Sequence, residues 1–184
     1  MLLTKGESMY KLVPPDQMPL SNDVEENEEG LAKAYKICVG LSILCVKEGG
    51  IGLSAAQVGI PSKIFVVKSD LHSQDYRGGF SYYINCNYTP IGDERYESLE
   101  GCLSLVDKRG ELRYFIVPRP LKINFTGKRL YAGNPLLLQP FDKEIDKNHG
   151  LAVFSHETDH CYGITIDQIG VEQGIISSKN RKKK

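Results

Sequence analysis

Residues 156–160 read His-Glu-Thr-Asp-His. On an α-helix, positions i and i+4 share a face, so His156 and His160 can aim two imidazoles at one metal ion. Glu157 lies one position round, close enough to handle protons. The plain alternative is a surface helix with two solvated His. Two imidazoles also leave a catalytic site one ligand short, because such sites usually take three protein groups and keep one position open. Downstream the carboxylates are Asp167 and Glu172, with no further His. Upstream, Cys102 stands in Glu100-Gly101-Cys102-Leu103-Ser104. One thiolate with two imidazoles suits iron(II), zinc, cobalt or nickel. Taken alone, Cys102 reads first as a buried apolar thiol. A third stretch, Gly50-Ile51-Gly52-Leu53-Ser54-Ala55-Ala56-Gln57, puts small residues where backbone can approach a ligand, with Gln57 as a neutral amide donor. Taken alone, it is a helix terminator running into a tight turn.

The elements that must hold these groups can be read from periodicity. A chain of 184 residues fits one domain with tails and can bury a core without staples. Its 23 basic and 23 acidic residues balance, so no global field draws it to nucleic acid. The exception is the basic run Lys179–Lys184. Five irregularly spaced Cys argue for free thiols in a reducing compartment. No apolar leader and no membrane-length run is seen, so a cytoplasmic protein is expected. Leu31, Ala34, Cys38, Leu41 and Cys45, with Ile37 and Leu44 beside them, predict a helix from about Asp23 to Lys47. Asp23 and Glu26 are read as its capping box. Residues 64–67 and 82–86 read as strands, and 113–125 as two strands broken near Pro118 and Pro120. Residues 69–80 and Gly133-Asn134-Pro135 read as loop and turn. A second helix is predicted over about 150–162, closed by Gly163. Gly170 and Gly174 argue against a long helix beyond it. The fold class expected is α+β, with short antiparallel and mixed sheets packed around a central helix that carries the His-Glu-x-x-His motif. Residues 1–22 read as an arm, 23–165 as one catalytic domain, and 166–184 as a tail.

GIGLSAAQ, EGCLS and HETDH, in this order and approximate spacing, resemble the peptide deformylase family. The resemblance runs from about Asp23 to Gly163, and Val117-Pro118-Arg119-Pro120 looks like the segment after the family's Cys strand. It implies metal-dependent removal of the formyl group from the N-terminal formyl-methionine of nascent polypeptides, releasing formate. Cys102, His156 and His160 match the metal ligands, for one divalent ion per chain. The family's physiological metal is iron(II), with zinc, nickel or cobalt as other ions the ligands suit. Glu157 matches the catalytic acid/base. Gln57 and the Leu103 N–H match the groups that bind the formyl oxygen. Ile51 and Gly52 match one wall beside the substrate and Gly101 the other. Helix geometry drawn back from His156 puts His149, Ala152 and Val153 around the methionine side chain, with Ala152 leaving room. The implied partners are N-formyl-methionyl peptides, with a transient ribosome contact through the basic run; neither DNA nor membrane is expected.

Two alternatives stay open. A zincin-like metallopeptidase needs a third ligand downstream. A non-catalytic metal-binding module needs a closed site, with His149 or Cys161 in the fourth position. The chain also departs from the family at Ser155, usually Gln, and at Cys161, usually Leu. Extra length is expected near Asp107–Glu111 and Gln139–His149.

Overall fold

The apolar spacing of the first third does form a helix, α1 (Glu28–Lys47), in the computed structural model, which describes residues 9–69, 79–131 and 134–175. Its buried face is Leu31, Ala34, Ile37, Cys38, Gly40, Leu41, Leu44 and Cys45. The helix starts later than expected. Asn27 is the N-cap, and its side chain accepts from the Gly30 N–H at 2.7 Å. Asp23 instead pairs with Lys63 at 2.8 Å, and Glu26 reaches Lys128 and the Asn85 side-chain amide. Asn caps as well as Asp, and starting at Asn27 puts Glu28 and Glu29 in the first turn, where the dipole favours them.

The first sheet lies under α1. Its order is β1 (Gly52–Ser54), β2 (Ile64–Lys68), β3 (Phe80–Pro90), β6 (Lys122–Tyr131) and β7 (Asn134–Pro140), with β8 (Lys143–Asp146) also paired to β6. Strand period then sorts the side chains. Ile64, Val66, Tyr82, Ile84 and Leu130 face α1. Phe65, Val67, Tyr83 and Phe125 face the other way, onto Leu151, Val153, Phe154 and Cys161 of α2 (Leu151–Cys161), the motif helix. Rings of Phe65, Tyr83, Phe125, Phe141 and Phe154 meet there at centroid distances of 5.1–6.4 Å. A sheet covered on both faces explains why all of β2 is buried. In β3, Asn85 and Cys86 together oppose the single residue Gly127 as a bulge, where Asn85 takes φ 53° and its side chain holds the Val24 backbone. Gly127 faces the bulge, and a Cβ there would meet the Cys86 Sγ.

The second sheet is β4 (Arg95–Val106), β5 (Leu112–Pro120) and β9 (Val171–Ile175). β4 carries Cys102 and no periodic signal announced it. Pro118 and Pro120 stay within β5, because β9 pairs only with residues 113–116 and the proline half forms an edge on that side. The β4–β5 hairpin turns at Asp107–Glu111, and the stretch 139–149 holds the end of β7, β8 and the turn into α2.

Other expectations are corrected here. Pairing in both sheets is antiparallel throughout; the isolated Asn22–Ser62 bridge is the parallel one among described residues. Asn134 and Pro135 begin β7 rather than form a turn, and Phe80 begins β3. Residues 166–175 are not a free tail: α3 (Ile166–Ile169) buries Ile166 and β9 joins the sheet. The arm also docks, with Tyr10 and Leu12 against the α1 core and the Val13 N–H on the Gln57 carbonyl. No helix among the described residues is long and apolar enough to cross a membrane.

The cap assignment is testable by urea unfolding. Asn27→Ala is expected to cost about 1 kcal/mol. Asp23→Ala, which removes only an exposed ion pair, should stay within about 1 kcal/mol and below the Asn27 effect.

Candidate metal centre

The second sheet packs its inner face on α2. Along β4, Tyr96, Ser98, Glu100 and Cys102 alternate with residues that face outward, as the pleat requires. This brings Cys102 to the helix face that carries His156 and His160. The Cys102 Sγ and one nitrogen from each imidazole all lie within 4.8 Å of one another, and all three residues are buried. The two rings stand nearly perpendicular, at 88°.

Each imidazole is held by its far nitrogen. His156 Nδ1 meets Glu100 Oε2 at 2.9 Å, and His160 Nδ1 meets the Ile164 carbonyl at 3.2 Å. Both Nε2 atoms are left for a metal, with tautomers set by these partners. Behind Glu100 stands Arg119. It donates twice to Glu100, at 2.8 and 2.9 Å, and once to Asp159, at 2.6 Å. The Tyr88 hydroxyl donates to the other Asp159 oxygen at 2.7 Å. Burial pushes the Glu100 carboxyl up, but its bonds to Arg119 and His156 outweigh this and bring it down to about 2. Arg119 is buried too, and Glu100 and Asp159 hold it charged against that burial.

Gln57 comes from the one-turn 3-10 segment after β1, closed by Gly59 at φ 76°. The Ser54 N–H and hydroxyl both serve the Gln57 Oε1, at 2.9 and 3.2 Å. The amide nitrogen is thereby aimed at the Cys102 Sγ, 3.4 Å away. Leu103 sits where β4 loses register with β5, between Gly101 and Val106. Glu157 is buried beside the cluster, with Oε2 unpartnered by protein atoms. Burial raises its carboxyl to about 7, His156 pulls it down and Glu100 pushes it up. A Cβ on Gly52 would come within 2.6 Å of Glu157 Oε1, so only glycine lets β1 lie this close to the motif helix.

His156, Glu157 and Gln57 open on one cleft of about 300 Å³, which Cys102 and His160 do not line. Ile51, Gly52, Gly101, Ala152 and Val153 line it together with Gln57, Leu103, His156 and Glu157. His149 does not. Gly150 at φ 85° caps α2, so the helix that would have carried His149 to this face has not begun. His149 is exposed and paired with Asp146 at 2.7 Å.

A family model described as polypeptide deformylase matches residues 20–173. The chain belongs to this family. The peptide deformylase of Zymomonas mobilis subsp. mobilis is 32% identical over 144 residues, 75% of this chain and 73% of that protein. That of Chromohalobacter salexigens is 38% identical over 119 residues, 62% of this chain and 58% of its own length. In fold, the chain is similar to a probable peptide deformylase from Synechococcus phage S-SSM7, with TM-score 0.67 and 24% identity over 87% of this chain and 99% of that one. Membership makes the chain an amide hydrolase of formylated peptides, and the Cys/His/His group fits the divalent ion that deformylases use.

The alternatives fare poorly as ligand sets. Asp167 accepts from the Thr165 hydroxyl and Glu172 is tied to Arg113. Cys161 is buried against the aromatic core, its thiol on the Glu157 carbonyl and its pKa raised by burial. Among the described residues, Cys102, His156 and His160 are the one group of three that could hold a metal. Ser155 is buried with its hydroxyl unpartnered. Sequence reading missed Glu100, Arg119, Asp159 and Tyr88 as supports. A signal was available: three of them are charged residues inside the quoted motifs, and Arg119 is a cation set between two prolines.

Removing one partner from a buried ionic network leaves the others uncompensated. Arg119→Met is expected to destabilise the protein by about 3–5 kcal/mol in urea. Arg113→Met, which breaks the exposed pair with Glu172, should cost under about 1 kcal/mol.

Proposed function

We propose that this deformylase hydrolyses the formyl amide of N-formyl-methionyl peptides, with a divalent ion held by Cys102, His156 and His160, and iron(II) as that ion in the cell. The observation that carries the reading is the clustering of those three ligand atoms beside a cleft that His156, Glu157 and Gln57 line, with the Gln57 amide 3.4 Å from the Cys102 Sγ. The donor set fits a metal: the soft Sγ stands 3.4 Å from His160 Nε2, and both imidazoles turn Nε2 away from the partners that hold Nδ1. When bound, such an ion supplies Lewis acidity and a water acidified to near neutrality.

The chain's own groups do the rest. Glu157 takes the proton of the attacking water and later delivers it to the departing amine nitrogen. The buried setting that raises its pKa suits a group that must hold a proton between those steps. The Gln57 amide and the Leu103 N–H meet the negative charge that grows on the formyl oxygen. Gln57 is fixed for this by Ser54, so it need not reorganise during reaction. The narrow gap between Gly52 and Glu157 favours formyl, the smallest acyl group.

Both sheets present an edge to this cleft. β1 ends the first sheet and β4 ends the second. An extended peptide can add between them as a strand. Its methionine side chain then points to Ala152 and Val153, whose small size leaves room.

The experiment is formate release from formyl-Met-Ala-Ser, with protein reconstituted anaerobically with iron(II), nickel or zinc. Release should depend on metal. Glu157→Gln should lose at least about 100-fold in kcat while keeping its ion, since general acid–base groups are worth that much. Cys102→Ser should lose the ion itself. A retained ion in Cys102→Ser would return the metallopeptidase reading, and full activity in Glu157→Gln would remove the assigned acid/base.

Ribosome contact through the basic run also belongs to this proposal, as does a cytoplasmic site of action where formylated chains emerge. Lys179–Lys184 lie outside the described residues. A basic run favours a polyanionic surface in a salt-dependent way. Deleting it is expected to lower cosedimentation with ribosomes at low salt, with formate release retained.

A further inference from the structure

Tyr88 belongs to β3, in the sheet that carries none of the ligands, and an unbroken strand would turn it away from them. Ile84 faces α1. Side chains an even number of positions apart share a face, so residue 88 would look the same way. The bulge at Asn85 and Cys86 reverses the parity. Ile84 pairs with Lys128, but Tyr88 pairs with Phe125 and packs with it on the α2 side. The bulge is held on purpose: the Asn85 side chain ties the Val24 N–H and carbonyl, and Gly127 leaves room for Cys86.

Thus aimed, the Tyr88 hydroxyl reaches Asp159 Oδ1. Burial and the Asp159 charge raise its pKa, which keeps it a donor. Asp159 Oδ2 takes the Arg119 Nη1, and Arg119 gives Nε and Nη2 to the two oxygens of Glu100. The oxygen at Nη2 also holds His156 Nδ1. The path from phenol to imidazole is unbroken, in hydrogen bonds of 2.6–2.9 Å. His160 is not on it, since its Nδ1 rests on the Ile164 carbonyl.

We infer that Tyr88 is a positioning residue of the metal centre: its hydroxyl sets the His156 imidazole through Asp159, Arg119 and Glu100. The inference rests on the proposed metal site. Two carboxylates draw on one guanidinium. The phenol meets part of the Asp159 charge, so Arg119 can give two of its three bonds to Glu100 and hold that carboxylate against His156. Without the hydroxyl, Asp159 Oδ1 is a buried acceptor that must find its donor in Arg119. The guanidinium then turns toward Asp159, and Glu100 and His156 loosen together. Tyr88 does not line the cleft, so substrate binding is left alone.

The test follows the ion. Tyr88→Phe keeps the ring and its packing and removes the hydroxyl. Zinc-loaded protein mixed with excess chelator should release its ion about tenfold faster in Tyr88→Phe than in the unsubstituted chain, the scale of losing an outer partner of a ligand. Glu100→Gln should also release faster. Tyr88→Phe combined with Glu100→Gln should stay within about twofold of Glu100→Gln alone, because the path is already cut. An unchanged rate in Tyr88→Phe would overturn the inference, as would two effects that multiply. With nickel-loaded protein and formyl-Met-Ala-Ser, kcat should fall in Tyr88→Phe at constant KM; a change in KM alone would place Tyr88 at the substrate and overturn it. In zinc-loaded protein with labelled histidine, the His156 Nδ1–H resonance should move in Tyr88→Phe and that of His160 should not. A still His156, or equal movement of both, would overturn the route through Glu100. An unsubstituted chain that takes up no zinc would instead bring down the metal site beneath it.

Discussion

The site depends on keeping a cation dry. Arg119 is 2% exposed, and its three hydrogen bonds go to two carboxylates that are buried with it. A lone guanidinium in that position would be strongly disfavoured. With Glu100 and Asp159 beside it, the charge is compensated, and each carboxylate also serves a second partner, Glu100 through an oxygen it shares with Arg119 and Asp159 through its other oxygen. Glu100 turns His156, and Asp159 receives Tyr88 from the first sheet. One guanidinium thus ties together the second sheet, the motif helix and β3. The ligand geometry follows from that junction, because imidazoles aimed by fixed partners have little freedom left to lose on binding.

The junction explains the layering. The first sheet is apolar on both faces, so it needs a helix on each. α1 covers one face with aliphatic side chains, and α2 covers the other with an aromatic cluster. α2 must therefore be apolar toward the first sheet and polar toward the second. Its short span shows both: Phe154 and Cys161 face the rings, while His156 and His160 face Cys102. Gly52 is the contact point that allows this. Only a residue without a side chain permits β1 and the Glu157 carboxylate to share that space.

The ligands and both long helices were legible because each rests on local spacing: i, i+4 for the two His, and a repeated apolar face for α1. The candidate Cys ligand has no period of its own, so donor chemistry could nominate it but the resemblance to a family was needed to prefer it over a buried thiol. β4 gave no periodic signal of its own. Its inward positions hold Ser98, Glu100 and Cys102, so the apolar alternation that marks a strand is inverted by the site it builds. The start of α1 was misplaced because Asp23 and Asn27 both satisfy a cap rule, and tertiary contacts to Lys63 chose between them. His149 was misassigned by extending helical geometry past Gly150, whose left-handed φ ends it. These misses occur where long-range contacts override a local preference.

β9 completes the second sheet from far along the chain, pairing with the strand next to the one that carries Cys102. The three side chains that could hold a metal themselves span residues 102 to 160. Nothing local can bring them together, so closure of a long loop must precede any reward from the ion. During vectorial synthesis the group therefore cannot assemble before His160 has been made. Any ion that these side chains bind would be captured only after β4 and α2 have met, late in folding rather than as its seed.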